Sequence, residues 1–238
     1  RFKYGFKEFE IVDDCFNLDR QRMHAILNGL KEKKMDIKLH FPNGLRSDLL
    51  EPADAVLFKQ AGTVSSVFAI ETFSQRLQTM IHKNLNLDKA ISAMNAFAKA
   101  GIYSMGYFMI GFPTESYQEA SATVQSASWS KLHRAFFFNP TPFSGTELAN
   151  MSSEILKNKE RPFDPRYVNY FTTDLNISAM SDDELRKIFR YAYWRFYLNP
   201  KRILRLLNLA VRYPELFSIK RIVKLFLFKI LPQRRISA

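Results

Sequence analysis

Between residues 8 and 140, short apolar runs alternate five times with helical patterns, and this alternation commits the chain to a parallel α/β architecture. The predicted strands are Glu8 to Val12, Ile37 to Phe41, Val67 to Ile70, Tyr103 to Ile110 and Arg134 to Phe138. Helical stretches separate them over about 19–34, 48–61, 74–82, 87–100 and 115–130, and Gly62 is placed to end the second as a C′ glycine. Strands joined by helical crossovers pair in parallel, and right-handed crossovers leave two arrangements open, a barrel or an open doubly wound sheet.

The remainder is organised differently. Residues 1–150 form the predicted α/β domain, 151–180 read as an irregular connector with Pro162 and Pro165, and 181–238 as a helical subdomain. Ser181-Asp182-Asp183-Glu184 is a capping box opening a helix with Leu185, Ile188, Phe189, Ala192 and Phe196 on one face. Asn199-Pro200 is a cap followed by proline at the first helical position. A last helix places Ile219, Ile222, Val223, Phe226, Leu227 and Ile230 on one stripe, with Lys220, Arg221, Lys224 and Lys229 away from it. The net charge of +12 is concentrated here: Arg186 to Ala238 holds 14 Lys and Arg against one acid, Glu215, and the rest is close to neutral. Three readings follow. The stripes pack on the α/β domain and the charges face water, or residues 186–238 meet an acidic lipid surface, or, least favoured because no recognition motif accompanies the charge, they contact nucleic acid.

A single cysteine, Cys15, excludes an internal disulfide and any metal site needing two thiolates from this chain. It fits a reducing, cytoplasmic location, with peripheral membrane contact if the basic helices serve that purpose. The sequence opens on Arg1 and runs straight into a strand pattern, with no signal-peptide region in view, so a fragment is the natural reading. No run approaches the roughly 18 apolar residues of a membrane span.

In a parallel barrel, reactive groups gather where strands end. The predicted strands end in Asp13-Asp14, in Asn43 with Arg46 nearby, in Glu71, in Gly111-Phe112-Pro113 after Met109 and Ile110, and in Asn139 with Thr141. By themselves these positions imply a mouth for a ligand bearing an amine, a carboxylate and hydroxyls, and do not name it. Plainer roles stand beside each: Asp13-Asp14 as a helix cap, Arg46 as a surface partner of Asp48, Gly111 to Pro113 as a turn, Cys15 as a small packing residue, and Phe136 to Phe138 as core strand. His24, His40, His82 and His133 show no ligand spacing.

In order along residues 5–150, five segments match one family. Ile11-Val12-Asp13-Asp14-Cys15-Phe16 resembles the I-x-D-D-x-F strand of radical S-adenosylmethionine (SAM) enzymes, particularly the branch associated with a cobalamin-binding domain. Asn43 to Asp48 resembles the N-G-x-R-x-D turn; Ala69 to Ser74 resembles G-x-E-S-G-S and continues from Leu77 to Lys83 as L-x-x-x-x-x-K. Tyr107 to Glu115 resembles F-x-I-G-x-P-G-E-T, and Pro140 to Leu148 resembles T-P-x-P-G-T-x-L. The resemblance implies a partial, TIM-like parallel (β/α) barrel lacking its first strand. The cluster loop, with the pattern C-x3-C-x2-C, would lie upstream of Arg1 and hold the [4Fe–4S] cluster; Cys15 is no substitute for three thiolates.

It also implies roles. Asp13 or Asp14 would face the SAM ammonium, Glu71 the ribose hydroxyls or the amine, and Arg46 the methionyl carboxylate or substrate. Asn43 belongs to the same cofactor-facing set. Gly111 and Pro113 would bring backbone to the adenine, Met109 or Ile110 would offer it an apolar surface, and Asn139 and Thr141 would contact adenine or substrate. The implied activity is reductive cleavage of SAM to a 5′-deoxyadenosyl radical, with cobalamin-dependent methyl transfer or C–H functionalisation as outcomes. The implied partners are a small-molecule or lipid substrate and a reductant such as flavodoxin or ferredoxin. Three positions depart from the pattern: Phe73 and Thr114 stand where glycines are usual, and Phe143-Ser144-Gly145 replaces a tighter turn. Two other functions fit the residues: a non-radical α/β barrel using Asp13, Asp14 and Glu71 as acid/base or metal-binding carboxylates, and a non-catalytic membrane scaffold built on the basic helices.

Overall fold

The computed structural model describes residues 3–157 and 175–213. Five strands form one sheet in the order β1 (Glu8–Glu10), β2 (Lys38–Leu45), β3 (Thr63–Glu71), β4 (Tyr103–Met109) and β5 (Arg134–Phe138), every neighbour parallel. Helices α1 (Arg20–Glu32), α2 (Pro52–Gln60), α3 (Gln75–Met80), α4 (Leu87–Lys99) and α5 (Tyr117–Trp129) make the crossovers. After β5 come two single-turn helices, α6 (Glu147–Met151) and α7 (Ser153–Lys157), then α8 (Asp182–Tyr197) and α9 (Pro200–Arg212). The last predicted helix, with its Ile219 to Ile230 stripe, lies outside the described residues.

Alternation decides which side of the sheet meets the helices. On β4, Ser104, Gly106 and Phe108 are buried while Tyr103, Met105, Tyr107 and Met109 are half-buried on the opposite face. The helix-side core is largely aromatic, which is where much of the phenylalanine goes. Phe16, Phe41, Phe58, Phe97 and Phe68 form a chain of rings with successive centroids 5.0–5.2 Å apart. Gly62 ends α2 at φ +98°, and a Cβ there would sit 2.4 Å from the Ile37 carbonyl oxygen, so glycine is required.

Two boundaries differ from the pattern reading. Pro42-Asn43-Gly44 reads as a stop, yet β2 continues to Leu45 through an irregularity in its pairing with β3. The helix expected over 48–61 divides, because Pro52 takes the first helical position of α2 and Glu51 with Asp54 forms a capping box behind it.

The two edges of the sheet are treated differently. At β5, α8 lays two tyrosines one turn apart along the strand. Tyr197 donates to the Ala135 carbonyl at 2.9 Å and accepts from its N–H, and Tyr193 does the same at Phe137. The hydroxyls satisfy the edge backbone that a further strand would otherwise use. At the other edge β1 pairs only with β2 among the described residues, and Phe6 and Val12 flanking it are 65% and 64% exposed.

α8 buries the face predicted for it, including Leu185, Ile188, Phe189, Ala192 and Phe196. α9 departs from the expectation that apolar stripes pack inward and charges face water, although its Lys201 and Arg212 are exposed as expected. Arg202 is fully buried, whereas Ile203, Leu204, Leu207 and Val211 are exposed. Arg202 donates to five backbone carbonyls, those of Ala127, Ser128, Ser130, Leu132 and Phe196. Four of these lie at the C-terminal ends of α5 and α8, whose helix dipoles take the place of a counter-ion, and the fifth, Leu132, is in the loop that leads from α5 into β5. α9 therefore crosses the pole of the sheet where the strands begin, opposite the strand ends.

Candidate functional site

The strand ends form two connected groups. In the first, β1 leads to Asp13 and Asp14. Helix α1 is capped by Asp19, which accepts from the Arg22 N–H at 3.0 Å, so neither of the two earlier aspartates serves as the cap. Asp13 is paired to Arg22 at 2.7 Å. Asp14 is exposed and has no hydrogen-bond or ion-pair partner among the described residues. Asn43, also exposed, donates to the Val12 carbonyl at 2.9 Å and so fixes the backbone that presents Asp14.

Beneath this loop Asn17, buried to 1% exposure, donates to the Arg46 carbonyl and accepts from the Arg46 N–H. The Arg46 guanidinium meets Asp48 at 3.1 Å and the Lys83 carbonyl at 3.0 Å. The Lys83 ammonium in turn lies 2.6 Å from Glu71. Glu71 sits at φ +67°, in the left-handed region, at the last position of β3. A bulky residue held there costs roughly 1–2 kcal/mol, so the end of β3 is strained in order to present a carboxylate. Gln78 supports the turn from inside the core, donating to the carbonyls of Ile70 and Thr72.

The second group follows β4 and β5. Gly111 has φ +110°, and an added Cβ would approach the Asn139 amide nitrogen to 2.9 Å. Glycine therefore permits both the turn and the close approach of Asn139. Ile110, Pro113 and Asn139 are buried; Met109 and Thr141 are half-buried. Ile110 is thus core, and Met109 is the member of that pair on the opposite face of the sheet. Thr114, where a glycine is usual, keeps glycine-like geometry at φ +63°. Arg76 holds it there, donating to its carbonyl and hydroxyl at 3.0 Å while gripping Glu119 with two further bonds. The Arg76 guanidinium keeps the Glu119 carboxyl well below its usual range, at about 2. Phe73, at the other unusual position, stacks on Phe108.

Glu115 has no role in the sequence reading, although its place in the F-x-I-G-x-P-G-E-T pattern was a signal. It is fully buried; one carboxylate oxygen accepts from the Gly111 and Phe112 N–H groups and the other has no partner. Burial, outweighing those two hydrogen bonds, pushes its pKa from 4.5 up to about 7. An acid raised in this way costs stability when it must ionise: the cost is absent below 4.5, grows with pH, and is complete above about 7. Glu115→Gln keeps an acceptor for the two N–H groups. It is expected to flatten the fall in stability from pH 5 to pH 8, worth at most about 3 kcal/mol in the parent chain, in urea melts at a series of pH values. Parallel pH profiles for the two proteins would refute the assignment.

Together the groups offer a free carboxylate, a carboxylate poised on a lysine, an arginine and a buried glycine turn whose N–H groups are held by Glu115. That set suits a zwitterionic ligand carrying hydroxyls and a flat base. Asp13 is committed to Arg22 and Glu71 to Lys83. Among the described residues no three His, Cys, Asp or Glu side chains are placed to hold a metal ion. Cys15 is half-buried beside Asn17.

Comparison with known proteins bears on the ligand. No family model matches the chain. An uncharacterized methyltransferase of Pyrococcus horikoshii is 29% identical over 204 residues, 86% of this chain and 44% of the relative. A cytidylyl-2-hydroxyethylphosphonate methyltransferase of Streptomyces wedmorensis is 29% identical over 155 residues, 62% of this chain and 29% of the relative. The chain thus spans less than half the length of these relatives. Among solved structures, the radical SAM methyltransferase TsrM from Kitasatospora setae, with cobalamin and a [4Fe–4S] cluster bound, superposes with a TM-score of 0.56 at 15% identity, over 78% of this chain and 38% of that one. The chain has the fold of the radical SAM enzymes.

Proposed function

We propose, from a chain with the radical SAM fold, that it forms the SAM-holding part of a radical SAM methyltransferase whose cluster thiolates are supplied from outside these 238 residues. The observation that carries this reading is the presence, at the same end of the parallel sheet, of an unengaged Asp14 after β1 and a strained, lysine-bound Glu71 ending β3. Asp14 suits the SAM ammonium, Glu71 the ribose hydroxyls, Arg46 the methionyl carboxylate, and the backbone at Gly111 the adenine edge. When bound, the cluster supplies one-electron reductive cleavage of SAM. The protein's own work is to orient SAM and keep water from the reacting atoms. Methyl transfer is the outcome favoured by the names of two relatives and of TsrM, and the cobalamin bound in TsrM favours its use here.

The fold supports an upstream segment. The β5 edge is sealed by Tyr193 and Tyr197, whereas β1 keeps an edge flanked by exposed apolar side chains, where one more parallel strand can add. Anaerobic reconstitution with iron and sulfide tests the reading. Residues 1–238, with one cysteine, are expected to take up no cluster, while the protein including its upstream segment binds four irons per chain, binds SAM, and shows a SAM-dependent change in its reduced-cluster EPR signal. A full-length protein that binds neither iron nor SAM would remove the proposal.

A further inference from the structure

We infer that the pole opposite the mouth is a docking surface for anionic lipid bilayers, centred on α9. At about 100° per residue, Ile203, Leu204, Leu207 and Val211 share one face of that helix, almost opposite the buried Arg202 and Leu209. They are 43%, 63%, 58% and 87% exposed. Four large apolar side chains facing water on one short helix form a contiguous patch of the kind that marks an interaction surface. The helix is rigidly held behind them by the five carbonyl bonds of Arg202 and by Lys59, which reaches the Gly101 carbonyl and the Tyr213 hydroxyl.

Two independent features choose the occupant. The first is charge. Lys201, Arg205 and Arg212 run along one flank of the apolar stripe, and Arg205 faces Lys131, which is itself in contact with Lys99. Partial burial together with these neighbours holds the Lys131 ammonium below its usual range. No Asp or Glu occurs between Arg186 and Arg212, and no salt bridge joins Lys201, Arg205, Arg212, Lys131 or Lys99 to a carboxylate among the described residues, so the flank is a field of like charge suited to an external anion. The second is tryptophan. The chain has two, Trp129 ending α5 and Trp194 in the last turn of α8; both are at this pole and they are 69% and 48% exposed. Exposed indoles at the same pole as the aliphatic stripe and its basic flank match the layered chemistry of a bilayer's headgroup region. A second copy of this chain would bring the same basic flank against itself, and nucleic acid would leave the aliphatic stripe without a partner.

Docked in this way, the strand-end mouth faces away from the bilayer. The surface therefore localises the protein and leaves substrate entry on the aqueous side, so this inference stands independently of the reading of the mouth. The test uses the intact protein with vesicles of phosphatidylcholine alone or with about a third phosphatidylserine. Co-sedimentation and a blue shift of tryptophan emission are expected with the anionic vesicles, at least about tenfold tighter than with neutral ones and weakened by salt. The exposed-face variant Leu204→Glu/Leu207→Glu is expected to lose binding at least tenfold with an unchanged melting temperature; Lys99→Glu/Lys131→Glu is expected to lose the preference for anionic lipid. Equal binding of both vesicle types, no binding, binding unaltered in either variant, or a dimer or nucleic-acid complex that those substitutions dissolve would each overturn the inference.

Discussion

Arg202→Met is expected to destabilise the folded chain by about 3–5 kcal/mol, measured as a fall in ΔG from urea unfolding. The wild-type guanidinium is fully buried and has no carboxylate partner among the described residues; burial, and then Arg205, push it down to about 9, which leaves it charged at neutral pH. Four of its five acceptors are carbonyls that the ends of α5 and α8 leave without helical partners, and the fifth is the Leu132 carbonyl in the loop before β5. Methionine fills much of the same space and removes every donor, so the cost is that of the abandoned carbonyls and not of a cavity. At about 2–4 °C per kcal/mol for a chain of this size, the melting temperature should fall by roughly 10 °C. Arg202→Lys, with three donors for five acceptors, should fall between the two. A loss below about 1 kcal/mol in Arg202→Met would show that water reaches these carbonyls.

The same arginine shows where pattern reading stops. The fold was legible because strands and helices here obey simple periods: all five strands are where the pattern puts them, and the capping box at Ser181 and Asn199-Pro200 mark real helix starts. Tertiary packing changed what local signals implied. Ser65 and Ser66 look like loop chemistry, yet β3 runs from Thr63: both pair with β2 and β4, and the Ser65 hydroxyl shares a hydrogen bond with His40 Nδ1 at 2.8 Å. Helices α6 and α7 were read as irregular since each is a single turn with too few positions to show a period. Arg202 runs against the general expectation that charges face water, because only the three-dimensional convergence of two helix ends makes its burial possible. In the mouth, the acidic residues were found at strand ends by position. The partners that define their state, Arg22 for Asp13 and Lys83 for Glu71, are fixed by spatial neighbours that no local spacing reports. Glu115 was passed over for the same reason: its burial, not its identity, makes it unusual.

Glu71→Gly should separate stability from function. Glycine adopts φ +67° without the steric cost borne by glutamate, and the orphaned Lys83 ammonium, in a side chain 23% exposed, can turn to water. Relief of roughly 1 kcal/mol of backbone strain then offsets the loss of an ion pair worth at most about 1 kcal/mol. The melting temperature is expected to stay level or to rise by a few degrees. Ligand binding should move in the opposite direction. In the full-length, cluster-loaded protein, loss of a carboxylate that accepts charge-assisted or hydroxyl hydrogen bonds should weaken SAM by about 1.5–3 kcal/mol, or roughly ten- to a hundredfold in Kd by calorimetry. Glu71→Asn tolerates the same backbone while lacking the charge, and should bind between the two. A variant that melts several degrees lower yet binds SAM as the parent does would make Glu71 a structural residue. A variant of equal or greater stability with poor SAM affinity would show that the strained end of β3 is maintained for its ligand.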